Sequence, residues 1–402
     1  MVLSQLFGSE TIVGIDMGSQ LIKIVYAEAS GPGRWRVTRA ASSMTPDEAV
    51  KDGIIVERRA VADAIRSLLN ICGLSHATGA VAAVAGPGVM VRHVQLPKMS
   101  EATLRKSVRY EAAKYISASV DDSCIEFEIL GLAAGTDDKM DVMLVAVPQE
   151  MVNSRLETLE LANLEPISME LEAFAVQRSL IDASPTKPGE GASLAILSMG
   201  ASFSELNIVA NGYHALSRNI TIAGNQFTNA IKSENKCTWE EAEQIKSTVD
   251  MSSLLNPEAD PDATKVARSV QPVLDEVMRE VRRSMNFFRS QVNEGSLGLP
   301  SQVIAESSPD RGAGLANISR LIVTGGSAAL MGLERYMSAR LGMPVEIWNA
   351  FDNPHLDTIM LAPDVAEREH SLYSLCLGLA LKESFADLGA QPVQVEPQRK
   401  AA

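Results

Sequence analysis

Between the apolar runs at residues 12–15 and 21–25 the chain places Asp16, Met17, Gly18, Ser19 and Gln20. Two β-branched runs joined by a short polar turn form a β-hairpin, and the tip of this one carries a carboxylate, a hydroxyl and several backbone N–H groups. Those groups suit a phosphate. Gly18 lets the backbone approach an anion, Ser19 adds a donor, Lys23 lies one strand length away, and Asp16 can hold the water shell of the magnesium ion that accompanies nucleotides. An ordinary hairpin turn uses the same residue types, so the stretch by itself leaves both readings open.

Two later stretches have the same character. Residues 193–209 again run strand, turn with Gly200 and Ser202, strand, and Asn211-Gly212 then turns the chain into a third strand at 213–217. At residues 320–324 a buried strand runs into Gly325 and Gly326 and then into a helix predicted over 330–341, whose N-terminus would accept a polar or anionic ligand. Nothing else has chemical spacing. His76, His93, His214, His355 and His370 are scattered, which predicts surface or packing roles, and Trp35, Trp239 and Trp348 are too dispersed for a stacking platform. Cys72, Cys124, Cys237 and Cys376 form no C-x-x-C pair and read as reduced thiols.

The elements that must position these turns are legible by period. A helix is predicted over 60–69, strands over 34–38, 81–85 and 90–96, and a helix over 100–116 with Leu104, Val108, Ala112 and Tyr115 on one face. Strands at 123–130 and 141–147 and a helix from Pro148 complete a small α+β insertion, residues 84–163. Residues 166–171 return to the first domain, and 182–192 form a linker. A Thr238-Trp239-Glu240-Glu241 capping box opens a helix, and a long helix covers about 266–291. Two copies of a strand-turn-strand-turn-strand unit predict an α/β, two-lobed, duplicated architecture. Its parts are a first lobe of residues 1–83 and 164–185, the insertion, a second lobe of 192–225 and 319–385, a helical subdomain at 226–318 and a disordered tail at 386–402.

At 402 residues, 46% apolar and 21% charged, the chain has material for more than one globular core. Its 36 basic and 50 acidic residues leave a net charge of −14, which argues against general binding to nucleic acid or an anionic membrane. Residues 1–10 lack a signal-peptide pattern, and no run approaches the roughly 18 apolar residues of a membrane span. A cytoplasmic protein that meets membranes only through partners is expected.

Three Gly-centred loops, one opening each lobe and one near the end, resemble the actin, hexokinase and heat-shock chaperone (ASKHA) superfamily, with its ribonuclease H-like duplication. Within it the chain resembles the PilM family of type IV pilus assembly proteins, relatives of the division protein FtsA. The resemblance spans residues 11–381. It rests on residues 14–19, 223–231 and 323–328, on the insertion beginning near Val84, and on the helix text at 108–116. It implies that ATP or ADP with magnesium is bound. Asp16 would anchor the metal, and Gly18 and Ser19 the phosphates, with Gly200, Ala201 and Ser202 facing them. Gly224 would touch the nucleoside, Gly325, Gly326 and Ser327 would cradle adenosine, and Glu243 and Lys246, spaced i, i+3, would reach ribose and base. Their bland alternative is a surface ion pair worth a few tenths of a kcal/mol.

The resemblance further implies an inner-membrane PilN-like partner, whose N-terminal cytoplasmic peptide would dock between the first lobe and the insertion with Leu104 and Val108 as candidate wall residues, and possible contact with pilus motor ATPases. The plainer reading of Leu104 and Val108 is core, and it is the favoured one. Neither nucleic acid nor direct membrane insertion is implied. One position departs from the superfamily pattern. The second turn usually begins with Asp, and here it begins with Ser198, which carries no charge to hold hydrated magnesium or orient water. Weak or absent hydrolysis, a scaffold rather than an enzyme, is therefore the first expectation. The alternatives are a small-molecule kinase, which needs a carboxylate base where the turns offer only Asp16, and an FtsA-like filament protein, whose amphipathic C-terminal helix the Pro-interrupted tail lacks.

Overall fold

The computed structural model describes residues 11–382 apart from 32, 117–118, 134, 183–192, 263, 295–311 and 368. The linker expected at 182–192, beyond its first residue, and the tail expected at 386–402 lie outside the described residues.

The opening hairpin forms as its composition demands. β1 (Ile12–Met17) and β2 (Leu21–Gly31) pair antiparallel with Asp16 opposite Lys23, and β3 (Arg34–Met44) extends the meander. A minimal ribbon, β4 (Val50–Lys51) and β5 (Ile54–Ile55), precedes α1 (Arg58–Ile71), whose Val61, Ala62, Ile65, Leu68 and Leu69 share a buried face. On the far side of β1, β6 (Gly79–Val84) and then β10 (Glu165–Leu171) add in parallel. Val13, Gly14 and Ile15 are all buried, so both faces of β1 are covered and it reads as a continuous apolar run rather than an alternating one.

The insertion between β6 and β10 begins with β7 (Met90–Pro97) and α2 (Glu101–Ala112). It continues through β8 (Ser123–Leu132), β9 (Lys139–Pro148) and α3 (Gln149–Leu161). Its three strands order β7-β9-β8, and Ser100 caps α2 by accepting from the Thr103 N–H at 3.2 Å. Leu104 and Val108 pack with Phe127, Val142 and Leu144 in the insertion's own core. Core, the plainer of their two readings, is what they adopt, and the groove-wall role is corrected: Leu104 has no exposed surface and Val108 only 6%, because the apolar face of α2 is what closes its sheet. α3, which the sequence boundaries assign to the insertion, sends Met151, Val152 and Leu159 into the core beneath the first sheet.

The second sheet repeats the first. β11 (Ser193–Met199), β12 (Ser204–Ala210) and β13 (Tyr213–Ile220) form the meander, and β14 (Ile318–Thr324) and β15 (Val345–Ile347) add in parallel beyond β11. Strand order runs β10-β6-β1-β2-β3 in one and β15-β14-β11-β12-β13 in the other, so the two correspond strand for strand. Asn211 and Gly212 both take positive φ, 50° and 84°, as a mirror-image hairpin turn requires. α5 (Gly224–Asn235), α6 (Trp239–Lys246), α7 (Lys265–Asn293) and α8 (Leu333–Leu341) complete this half, with Val270, Leu274, Val277, Val281 and Phe288 of α7 buried against it.

Between the sheets lie α4 (Glu172–Gln177) and α9 (His370–Ala380). Ala175, Val176, Tyr373, Cys376 and Leu377 join Val25 and Val81 of the first sheet to Leu194, Ile196 and Ile322 of the second in one core. The helices touch so closely at Gly378 that a Cβ there would lie 1.8 Å from the Ala175 carbonyl oxygen, an overlap no rotamer relieves. β16 (Leu356–Asp357) also crosses over to pair with β3. At another seam His93 of β7 and His214 of β13, expected to be unrelated, stack at 6.3 Å with Phe174 edge-on to His214 at 5.3 Å. Burial pushes both imidazoles well down, to about 4 and about 3, so they pack as neutral rings.

Candidate functional site

The loops singled out by sequence meet in one cleft of about 270 Å³ between the halves. Its lining includes Asp16, Gly18, Ser19 and Lys23 from the first turn, and Gly200, Ala201 and Ser202 from the second. Gly224 enters from α5, Glu243 and Lys246 from α6, and Gly325, Gly326 and Ser327 from the loop after β14.

Each turn is held from behind. Gly18 donates to the Leu21 carbonyl at 3.1 Å, and Thr45 bonds the turn twice, Oγ1 to the Gly18 carbonyl at 2.7 Å and N–H to the Gln20 carbonyl at 2.9 Å. Gly200 donates to the Phe203 carbonyl at 3.2 Å in the equivalent place. Across the gap the Ser202 hydroxyl donates to Ser19 Oγ at 2.7 Å, and Gln20 Nε2 donates to Asn225 Oδ1 at 3.0 Å. Among the described residues the N–H groups of Ser19, Gln20, Ala201 and Ser202 have no hydrogen-bond partner. Two facing sets of free backbone donors form a cradle that fits an anion with several oxygens.

The helix that abuts the cleft is not the one the sequence predicts. After Gly325 and Gly326 the chain winds into a 3-10 turn, Gly326–Ala329, and α8 starts only at Leu333, so its N-terminus lies away from the lining. The Gly-Gly loop instead packs on the second turn. Gly325 holds φ at +90° with a notional Cβ 2.6 Å from the Met199 carbonyl, and Ser327 Oγ donates to the Gly200 carbonyl at 3.2 Å. The first N–H groups of α5 are also spent there, Gly224 on Gly200 at 2.9 Å and Asn225 on Ala201 at 2.8 Å. Glu243 and Lys246 do pair, at 2.7 Å, and Lys246 Nζ also donates to Thr228 Oγ1 at 2.8 Å. The pair faces the cleft rather than open solvent.

The charges at the cleft floor exceed those read from the motifs. Lys23 pairs directly with Asp16; burial, the largest single influence, opposes its charge, but Asp16, Cys376 and Glu172 together outweigh it and raise its pKa, so Lys23 stays protonated. Three residues escape the sequence reading: Glu172 at the start of α4, Glu205 of β12 and Arg155 of α3. Glu172 and Arg155 line the cleft, and Glu205 sits opposite Ser198 in the β11–β12 ladder. Asp16 is therefore not the lone carboxyl there, which corrects the expectation on which the kinase alternative was set aside. Their letters are ordinary, a Glu at a helix start, a Glu in a strand and an Arg in an amphipathic helix, and only tertiary convergence marks them.

Residues 14–298 match the model of the family described as "Type IV pilus assembly protein PilM", well over half of the chain. Among solved structures the chain is similar to a PilM-PilN type IV pilus biogenesis complex, at 24% identity and TM-score 0.76, covering 96% of this chain and 99% of that one. It is also similar to the ethanolamine utilization protein EutJ from Carboxydothermus hydrogenoformans, at 17% identity and TM-score 0.50 over 92% of this chain and 88% of that one. MreB 5 of Spiroplasma citri bound to AMPPNP matches at 12% identity and TM-score 0.50, over 95% and 98%. At these identities the likeness is one of fold, and that fold is the two-lobed actin-like one.

Glu172 gives the cleft a measurable signature. Burial, then Glu205 and Asp16, push its carboxyl up to about 8, and burial pushes Glu205 up to about 7. A raised carboxyl pKa means the folded state holds its proton longer than the unfolded chain. Stability from this source is complete below the ordinary 4.5 and is lost as pH climbs through about 8. Glu172→Gln mimics the protonated acid. It should melt with the wild type at pH 5 and several degrees above it at pH 9 in parallel thermal scans; equal shifts at both pH values would contradict a buried, protonated Glu172.

Proposed function

The chain belongs to the PilM family of type IV pilus assembly proteins, and we propose that it serves as a nucleotide-stabilised docking scaffold at the cytoplasmic face of the inner membrane. The observation that carries this reading is the convergence of three sequence-distant loops on one donor-lined cleft. ATP or ADP would be held by the N–H groups and hydroxyls of Ser19 and Ser202 at its phosphates, and by the Gly325–Ser327 loop with Glu243 and Lys246 around its nucleoside. Asp16 is the carboxylate placed to hold hydrated magnesium, with Lys23 beside it. The bound nucleotide supplies a polyanion that both turns can grip at once, so it stabilises the folded register of the halves.

Hydrolysis is slow in this reading for two physical reasons. Ser198 is uncharged where a second carboxylate would share the metal. Glu172, the carboxyl beside it, holds its proton at neutral pH and so cannot accept one from water.

The partner in this reading is the N-terminal cytoplasmic peptide of a PilN-like inner-membrane protein, seated between the first lobe and the insertion. The PilM-PilN complex, whose protein is similar over nearly the whole chain, supports it. With Leu104 and Val108 buried, the large apolar surface left on α2 and the turn after it is Tyr110, 71% exposed, and Tyr115, so contact made by this helix runs through those rings. Among the described residues no helix is long and apolar enough to cross a membrane, and attachment through such a partner accounts for a peripheral position.

A labelled peptide copying the N-terminal segment of the PilN-like protein should bind the full chain in a fluorescence anisotropy titration at least about tenfold more tightly than its scrambled sequence. Equal binding of the two would remove the docking role. Phosphate release from ATP at pH 7 should fall at least about a hundredfold below the ~1 s⁻¹ lower range of ordinary enzymes. Brisk turnover would contradict the account of Ser198 and Glu172.

A further inference from the structure

Arg155 is the least expected group in the cleft. It is only 5% exposed, and its guanidinium is fastened to three backbone carbonyls: Nε donates to Ala83 at 2.7 Å, and Nη1 donates to Met151 at 3.0 Å and to Gly53. Among the described residues it makes no ion pair, and Nη2 has no hydrogen-bond partner. Burial lowers its pKa to about 10, with Asp16 and Glu172 acting in the opposite direction, so it remains a cation at neutral pH. Both those carboxyls are already committed, Asp16 to Lys23 and Glu172 to its proton. A buried guanidinium without a counter-ion is costly unless something anionic joins it.

Both halves line the cleft. Glu243, Lys246 and the Gly325–Ser327 loop line it from the second half, and Arg155, held against the Gly53 turn and β6, lines it from the first. The two phosphate turns line the same cleft. We infer that Arg155 takes the terminal phosphate and is the residue by which the cleft tells a nucleoside triphosphate from a diphosphate. The inference rests on the nucleotide reading above: with the nucleoside assigned to second-half residues and the phosphates to the turns, Arg155, a lining cation with Nη2 uncommitted and close enough to Asp16 of the first turn to feel its charge, is the group left for the last phosphate. The planar fork of an arginine suits a phosphate edge, and its three backbone anchors leave it little freedom to lose on binding.

The test is isothermal calorimetry of the full chain with Mg·ATP and with Mg·ADP, for wild type, Arg155→Met and Arg155→Lys. Wild type should prefer Mg·ATP. Arg155→Met should weaken Mg·ATP about tenfold or more and leave Mg·ADP within about twofold. Arg155→Lys, which keeps the charge and loses the fork, should fall between. If the Met variant fails to show a cooperative melt, the Lys variant decides, with at least about a threefold fall in the ATP to ADP preference expected. Equal weakening of both nucleotides, or an unchanged preference, would overturn the assignment of Arg155 and leave the nucleotide cleft standing. A wild type that binds neither nucleotide would overturn both.

Discussion

Two β-sheets of the same topology share one layer of helices, and the cleft exists because that layer is thin. α4 and α9 cross at Gly378 with no room for a Cβ, so Val25 and Val81 from one sheet and Leu194, Ile196 and Ile322 from the other fall into a single apolar core. Shared burial of this kind fixes the sheets against each other. The turns at the ends of β1 and β11 are then brought face to face, close enough for Ser19 and Ser202 to bond at 2.7 Å. Everything proposed about ligand binding depends on that register of the halves.

The same closeness crowds charge into a space of low dielectric. Asp16, Lys23, Glu172, Glu205 and Arg155 meet where water is sparse, and the arrangement resolves itself in three ways. Lys23 neutralises Asp16 directly, burial raises both glutamic acids so that Glu172, at about 8, keeps its proton at neutral pH, and Arg155 keeps its charge on a frame of carbonyl oxygens. With Lys23 matched to Asp16, Arg155 is left as a cation in the cleft of a chain whose overall charge is −14. A polyanion is the ligand this arrangement accepts, and Glu172, still protonated at neutral pH, is withheld as a water-activating base.

Local signals were legible and convergent ones were not. The Asp16–Ser19 hairpin, the Asn211-Gly212 turn and the Thr238 capping box each follow from residues adjacent in the chain, and the repeat of strand-turn-strand units announced the duplication. Glu172, Glu205 and Arg155 are invisible at that range because their meaning comes from neighbours far apart in sequence. The helix after Gly325 begins late because residues 326–329 wind more tightly than an α-helix. The spacing of Leu104 and Val108 allows a groove wall but favours core, and the need to cover the sheet β7-β9-β8 is what makes it core. His93 and His214 were read as scattered because no spacing rule predicts a contact between an inserted strand and the far lobe.

The central claim is that three distant loops form one nucleotide site. Hydrogen–deuterium exchange of the full chain with and without Mg·ATP tests it most directly, because it reports every loop at once and needs no catalysis. The account predicts that protection rises together at residues 16–23, 198–203 and 324–327, with a smaller rise in α6, and that the outer face of α7 is unchanged. Protection confined to one of these loops, or none with saturating nucleotide, would contradict it.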